Sequence, residues 1–168
     1  PAPALPEGVE ETLADWSHRL FDAVGYEGLG TCEFLVEADG RVNFLEVNPR
    51  LQVEHTVSEE VTGLDLVEQQ IRIAAGKRLA EVPSPRAHSF EFRITCEDPA
   101  SGMIPSTGTV SRLRWPLGHG VRIESGINEG DVVTSDFDPM LAKLIVTAPT
   151  REAAIARSRR ALAELEIK

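Results

Sequence analysis

The chain has 168 residues, with 17 lysines and arginines against 27 aspartates and glutamates, so its formal charge is −10. An apolar content of 42% is enough for a packed core and excludes a disordered or collagen-like chain. The acidity argues against nucleic-acid binding, and no apolar stretch approaches the ~20 residues of a membrane span. Two cysteines, Cys32 and Cys96, make no disulfide framework, and no signal peptide is evident. We therefore expect a reduced, cytoplasmic protein, and the opening Pro1-Ala2-Pro3-Ala4 indicates a segment of a longer one.

In the first half of the chain, apolar residues at spacings of three and four predict a helix over residues 9–24, ended by Gly25. A hairpin follows over residues 31–48, with Asp39-Gly40 as a two-residue turn. Residues 49–62 predict a loop and then a short helix. A further helix is predicted over residues 64–75 and ends at Gly76.

The second half begins after a proline-containing linker at residues 76–88. Short alternating stretches then predict strands at 88–95, 109–115, 121–124, 131–134 and 141–147. Thr150 is expected to cap a last helix whose core face carries Ile155, Ser158, Leu162 and Leu165. The predicted fold class is α+β in two parts, residues 1–80 and 81–168.

The hairpin places two carboxylates opposite each other. A two-residue turn at Asp39-Gly40 pairs Glu33 with Glu46 and Thr31 with Asn48. Opposed residues have Cβ atoms about 4.5–5.5 Å apart, and two like charges at that distance destabilise a sheet unless a cation lies between them. The pair predicts a Mg²⁺ or Mn²⁺ site at Glu33, Glu46 and Asn48, completed by phosphate and water. The alternative is that both carboxylates simply lie on a solvated face.

Alternation continues beyond the hairpin through Asn48, Arg50, Gln52 and Glu54. If this segment stays extended, these four polar side chains project to one side. Arg50 is suited to a planar oxyanion, and Glu54 to the role of a general base. An ordinary polar loop with salt bridges is the alternative.

In the second half, Glu91 and Arg93 share one face of a predicted strand. Taken alone, they predict an ion pair. Asp138 is expected in a turn, and Lys143 is expected to be a surface charge.

The segment Glu46-Val47-Asn48-Pro49-Arg50-Leu51-Gln52-Val53-Glu54-His55 resembles the signature of biotin carboxylase, the ATP-grasp component of biotin-dependent carboxylases. The resemblance extends over essentially the whole chain. Its other matching segments are Gly30–Phe34, Val61–Val67, Arg72–Gly76, Arg93–Ile94, Glu97–Pro99, Pro105–Gly108 and Asp138–Leu144. It implies the end of an ATP-grasp domain followed by a small C-terminal domain of short strands and a final helix.

The resemblance also implies roles for individual residues. Glu33, Glu46 and Asn48 would hold Mg²⁺ or Mn²⁺ against ATP, whereas Arg50, Gln52 and the backbone of Val53 would bind bicarbonate. Glu54 would deprotonate bicarbonate, and Arg93 would stabilise the biotin enolate. The glycine-rich lid and ATP-binding lysines of the family are not in this sequence, so we expect the chain to be inactive alone.

The implied partners are a biotin carboxyl carrier protein or domain, a carboxyltransferase subunit and a second copy of the chain, paired through the C-terminal domain. Arg122 lies where that pairing is expected. The parent enzyme implied is an acyl-CoA carboxylase of fatty acid biosynthesis, with pyruvate and urea carboxylases as alternatives. A non-biotin ATP-grasp ligase and a dimerisation module without activity also remain open.

Overall fold

The computed structural model describes residues 5–79 and 81–168 and divides the chain into two compact units. The first unit consists of the chain up to His55 together with Asp65–Glu81, and the second of Thr56–Leu64 and Val82–Lys168. Pro1–Ala4 and Ala80 lie outside the described residues, so the predicted boundary between residues 80 and 81 falls at a position that is not described.

Four helices and eleven strands are described. The helices are α1 (Val9–Val24), α2 (His55–Thr62), α3 (Leu66–Ala74) and α4 (Arg151–Glu164). The strands are β1 (Thr31–Val36), β2 (Val42–Asn48), β3 (His88–Thr95), β4 (Glu97–Asp98), β5 (Ile104–Pro105), β6 (Gly108–Thr109), β7 (Leu113–Arg114), β8 (Val121–Ser125), β9 (Val132–Val133), β10 (Met140–Ala148) and β11 (Glu166–Ile167). No helix within residues 5–79 or 81–168 combines the length and the apolarity that a membrane crossing requires.

The predicted helices of the first unit are confirmed. Helix α1 ends at Gly25, whose φ of 60° is the left-handed conformation that favours glycine at this position. Helix α3 begins two residues later than predicted, because the Asp65 side chain accepts a hydrogen bond from the Glu68 backbone N–H and caps it there. The rings of Trp16 and Phe34 lie 6.2 Å apart between α1 and the hairpin.

The predicted hairpin register is confirmed at the pair Glu33 and Glu46 but is wrong nearer the turn. Glu33 pairs with Glu46 as predicted, but nearer the turn Phe34 pairs with Phe44 rather than with Leu45. The loop has three residues rather than two, because Glu37 N–H donates to the Arg41 carbonyl and Gly40, with φ 86°, takes the left-handed position. A bulge in the register after Glu33 absorbs the extra residue, so the two departures cancel before the glutamates.

The second unit is built on an antiparallel sheet in the order β3-β10-β8. One face of this sheet is apolar and packs against α4, with Leu144, Val146 and Ala161 completely buried. The face of α4 differs from the prediction, since its buried residues are Ala154, Ser158 and Ala161, whereas Leu162 is exposed. Small side chains let the helix approach the sheet closely, so they take the positions that the larger leucine was expected to fill.

The other face of the same sheet is charged. It carries Glu91 and Arg93 from β3, Lys143 from β10, and Arg122 and Glu124 from β8. The prediction that Lys143 is a surface charge is wrong, because its side chain is 9% exposed. Residues of α2 contact this face through Thr56, Glu59 and Glu60. Three short ladders, β4 with β5, β6 with β9 and β7 with β11, complete the unit.

Candidate active site

Two exposed carboxylates of the hairpin converge on a single point. The Asn48 side chain donates from Nδ2 to Glu33 Oε1 and to Glu46 Oε1, each at 3.0 Å. The two glutamates are thus directed inward at one shared donor rather than outward into solvent. A divalent cation prefers oxygen ligands of this kind, and the amide N–H₂ group stands where such a cation would bring the carboxylates together. The donor set therefore fits Mg²⁺ or Mn²⁺.

The side chain of Asn48 has its nitrogen toward the carboxylates and its oxygen toward Arg50. Arg50 Nη2 lies 3.4 Å from Asn48 Oδ1 and donates to it. Only the oxygen of an amide can ligate a cation, so Asn48 must turn its amide over before it can join Glu33 and Glu46 as a metal ligand.

Arg50 and Gln52 form the next part of the cluster. Arg50 Nη1 donates to Gln52 Oε1 and to the Leu51 carbonyl, both at 3.3 Å. Gln52 Nε2 is buried and has no acceptor among the described residues. A buried donor without an acceptor is costly, so an anion oxygen reaching Gln52 and Arg50 would be favoured by both residues.

The prediction that the chain stays extended from Asn48 to Glu54 is wrong. Strand β2 ends at Asn48, where the Arg50 backbone N–H donates to the Asn48 carbonyl at 2.8 Å, and a second turn follows Gln52. The His55 backbone N–H donates to the Gln52 carbonyl at 3.3 Å, and His55 Nδ1 lies 2.8 Å from the same oxygen. These contacts close a turn over Val53 and Glu54 just before α2. Glu54 is exposed there, at the entrance to the helix.

Arg93 belongs to the second unit, on β3 directly opposite Lys143. Its side chain is 53% exposed, and its Nε lies 4.0 Å from Glu91 Oε1. The predicted ion pair with Glu91 is confirmed. The other candidate residues, Glu33, Glu46, Asn48, Arg50, Gln52, Val53 and Glu54, belong to the first unit.

The sequence interpretation missed the charge network around Lys143. Lys143 Nζ lies 2.7 Å from Glu124 Oε2, and Arg122 contacts both Glu124 and Glu59. The available signal was Lys143 itself, a lysine within the otherwise apolar run Leu141–Val146. A lysine in such a strand is buried by its apolar neighbours, and a buried lysine needs an acidic partner.

The ion pairs of this network shift two pKa values. Burial opposes the charge on Glu124, but hydrogen bonds from Lys143 and Arg122 outweigh it and hold the pKa of Glu124 below its usual range. Burial also opposes the charge on Arg122, yet Glu59 and Glu124 raise the Arg122 pKa above its usual range. The Glu124 carboxylate is thus held ionised by cations of the chain itself.

Comparison with known proteins identifies two matching family models. The carbamoyl-phosphate synthase L chain ATP-binding domain matches residues 1–82, and the biotin carboxylase C-terminal domain matches residues 91–168. The chain is 48% identical to the biotin-dependent acyl-coenzyme A carboxylase alpha3 subunit of Mycobacterium leprae, over all of this chain and 28% of that protein. It is 46% identical to the biotin carboxylase of Halalkalibacterium halodurans, over all of this chain and 38% of that protein.

A solved structure shares the fold. The biotin carboxylase domain of Hydrogenobacter thermophilus 2-oxoglutarate carboxylase, in complex with MgADP, ADP and bicarbonate, superposes with a TM-score of 0.90 at 41% identity. The match covers 99% of this chain and 38% of that one. The chain thus spans about a third of the length of these relatives. Its two domain matches and its similarity to them show that it belongs to the biotin carboxylase family.

Proposed function

We propose that the chain forms part of a biotin carboxylase, which uses ATP and bicarbonate to carboxylate biotin on a carrier protein. The observation that carries this proposal is the convergence of Glu33 and Glu46 on one point beside Arg50 and Gln52. A cation position next to an oxyanion position is the arrangement that a reaction between a metal-bound nucleotide and bicarbonate requires. The H. thermophilus domain, which is bound to MgADP and bicarbonate, supports this assignment.

Glu33 and Glu46 would hold Mg²⁺ or Mn²⁺ in this function, with Asn48 joining through its oxygen. The cation would neutralise part of the charge on the ATP phosphates. The hydrogen-bond donor that the structure describes between the two hairpin carboxylates is the neutral amide of Asn48, so they remain available for a metal.

Arg50, Gln52 and the backbone of Val53 would bind bicarbonate. Glu54 would then accept its proton, and a bicarbonate oxygen would attack the γ-phosphorus of ATP as ADP leaves. The carboxyphosphate formed breaks down to CO₂ and phosphate, and that phosphate takes the proton from biotin N1′. Biotin N1′ then attacks CO₂.

Arg93 would stabilise the negative charge that develops on the biotin ureido oxygen when N1′ loses its proton. A guanidinium is always charged near neutral pH and offers several donors to an oxyanion. The 53% exposure of the Arg93 side chain leaves it accessible to a substrate carried on another protein or domain.

The partners expected for this function are a biotin carboxyl carrier, a carboxyltransferase and a second copy of the chain. We propose an acyl-CoA as the final acceptor, since the M. leprae relative is named as an acyl-coenzyme A carboxylase subunit. Pyruvate or urea remains the alternative acceptor. We also propose that the protein acts in the cytoplasm.

The test is phosphate release from ATP by the protein at its full natural length, with bicarbonate and Mg²⁺, with and without free biotin. The variants are Glu54→Gln and Arg93→Ala, and Glu152→Gln on the exposed first turn of α4 is the matched control. We expect biotin-dependent release that both site variants lose and the control retains. Release that is indifferent to biotin and to Arg93 would instead indicate an ATP-grasp ligase with another acceptor.

A further inference from the structure

The charged face of the β3-β10-β8 sheet lines up its residues in two rows. Lys143 is paired with Arg93 on one side and with Glu124 on the other. In the adjacent row, Ile145 is paired with Glu91 and with Arg122. Glu91 is therefore a diagonal neighbour of Lys143 across the two strands, and it lies two residues before Arg93 on the same face of β3.

Glu91 is the most buried acid of this face, with a side chain that is 4% exposed. Its Oε2 accepts a hydrogen bond from the hydroxyl of Thr56, which is completely buried, and lies 4.0 Å from Lys143 Nζ. Its other oxygen, Oε1, is buried and has no hydrogen-bond donor among the described residues. One oxygen of Glu91 is thus fixed and the other is left with spare acceptor capacity.

The spare oxygen faces Arg93. Arg93 Nε lies 4.0 Å from Glu91 Oε1. A charge-assisted hydrogen bond between such atoms has a length of about 2.7–2.9 Å, so a movement of roughly 1 Å would close the contact. The Arg93 side chain is 53% exposed, whereas Glu91 is buried and held by Thr56. The guanidinium is therefore the partner that moves.

Lys143 does not require Glu91 as its counter-charge. Its Nζ is 2.7 Å from Glu124 Oε2, much closer than to Glu91. Glu91 is therefore not accounted for by the charge balance of Lys143 alone. An ionised carboxylate at this depth is costly unless it serves a partner, and Arg93 is the cation at its unsatisfied oxygen.

We propose that Glu91 is a positioning residue for Arg93, and that Thr56 and Lys143 hold the Glu91 carboxylate in place for this role. The inference rests on the proposed function, in which Arg93 binds the biotin oxyanion. A carboxylate at the Nε edge restrains the orientation of the guanidinium. Holding the Arg93 guanidinium in one orientation toward the biotin oxyanion should raise the rate of carboxylation, because orientation of reacting groups lowers the entropic part of the barrier.

The experiment compares Glu91→Gln with the unsubstituted protein at its full natural length. Two quantities are measured, kcat/KM for biotin and KM for ATP. We expect kcat/KM for biotin to fall about tenfold, because loss of orientation acts only on the step that involves Arg93, with KM for ATP within about twofold. Glu60→Gln removes a carboxylate of α2 that contacts the charged face through Arg122 and Thr147, and it should leave kcat/KM for biotin unchanged.

A double-mutant cycle separates positioning from a structural role. In an Arg93→Ala background, Glu91→Gln should produce no further loss of kcat/KM for biotin, because the residue to be positioned is gone. Additive losses in the cycle, or an equal loss at Glu60→Gln, would overturn the proposal. If Glu91→Gln does not fold, Thr56→Val takes its place, and an unchanged kcat/KM for biotin in that variant also overturns it.

Failure of the proposed function gives a different result. The unsubstituted protein would then show no biotin-dependent phosphate release at all. Failure of this inference alone leaves that release intact and equal in the Glu91→Gln and unsubstituted proteins.

Discussion

Two pairs of glutamates in this chain differ in whether the protein supplies a cation to neutralise them. Glu33 and Glu46, on the hairpin of the first unit, are exposed, and the hydrogen bonds described for their side chains come from the amide of Asn48. Glu91 and Glu124, on the sheet of the second unit, are paired with Lys143 and are partly or wholly removed from water. The negative charge of the first pair is available to a bound metal ion, whereas the negative charge of the second pair is neutralised by cationic side chains of the protein.

This difference shows how to distinguish a ligand-binding acidic pair from a structural one. Both pairs consist of acidic residues on neighbouring or nearly neighbouring strands of a sheet, so acidity alone does not separate them. The presence of a buried lysine or arginine between the carboxylates decides the matter, because it supplies the cation that a metal would otherwise provide.

The largest effect is expected from Lys143→Met. It leaves Glu124 with Arg122 as its remaining cation and removes the buried ammonium of Lys143, and removing one partner of a buried ion pair destabilises a protein by about 3 kcal/mol. Urea denaturation measures this free energy of unfolding. The control Lys168→Met removes a lysine whose side chain is 66% exposed, and its ion pair with Glu166 is screened by solvent and should contribute little to stability. An equal loss of unfolding free energy in Lys143→Met and Lys168→Met would contradict the view that Lys143 neutralises buried glutamates.

The hairpin pair should respond in the opposite sense. Without a metal, Glu46→Gln relieves the repulsion from Glu33 and should stabilise the protein by about 0.5 kcal/mol, while weakening Mn²⁺ binding at least about tenfold. Calorimetric titration with Mn²⁺ and urea denaturation measure the two quantities. Glu37→Gln, at the loop end of the same hairpin, is the matched control and should leave Mn²⁺ binding unchanged. Destabilisation of metal-free protein by Glu46→Gln would contradict the interpretation of an unsatisfied pair.

The loop that sets the hairpin register provides a third test. Gly40 has φ 86°, a conformation that costs a residue with a side chain about 1 kcal/mol, so Gly40→Ala should destabilise the protein by that amount. Thermal unfolding measures the loss. An unchanged midpoint would mean that the three-residue loop does not determine the register at Glu33.

The smallest effect concerns pH. The pKa of Glu124 is held below its ordinary value of 4.5 by Lys143 and Arg122, so folding favours the ionised carboxylate. The stability from this group is fully present above about pH 4.5 and is lost as the pH falls through the lower, folded value. Urea denaturation from about pH 3 to about pH 6, which spans the usual carboxyl range, should therefore show a shallower acid loss of stability for Glu124→Gln. An identical slope would argue against the internal ion pair.

Much of this arrangement follows from local sequence. Apolar spacing predicts α1 with its observed bounds, and Thr150 caps α4 as expected, accepting from the Ala153 N–H. The pairing of Glu33 with Glu46 is also predicted, although by two departures that cancel, a longer loop and a bulge. Local signals succeed here because helix caps and hairpin pairs depend on residues close together in the chain.

The environment of Lys143 could not be predicted from local sequence. Its neighbours Glu91 and Glu124 are 52 and 19 positions away in the chain and meet it only through the order β3-β10-β8. The buried face of α4 was misjudged for a related reason. Which stripe of a helix faces the sheet depends on how closely the two can approach, and that favoured Ala154 and Ala161 over Leu162.

By itself, the sequence determined the α+β class, the main helices and strands, and the acidic and polar residues of the hairpin and the segment after it. Those features depend on periodicity, turn residues and short-range pairing. Only the tertiary structure decided which glutamates keep their charge available and which are neutralised within the protein. That decision depends on strand order and burial, since the cost of an unpaired charge is set by the cations and the water that folding brings to it or removes.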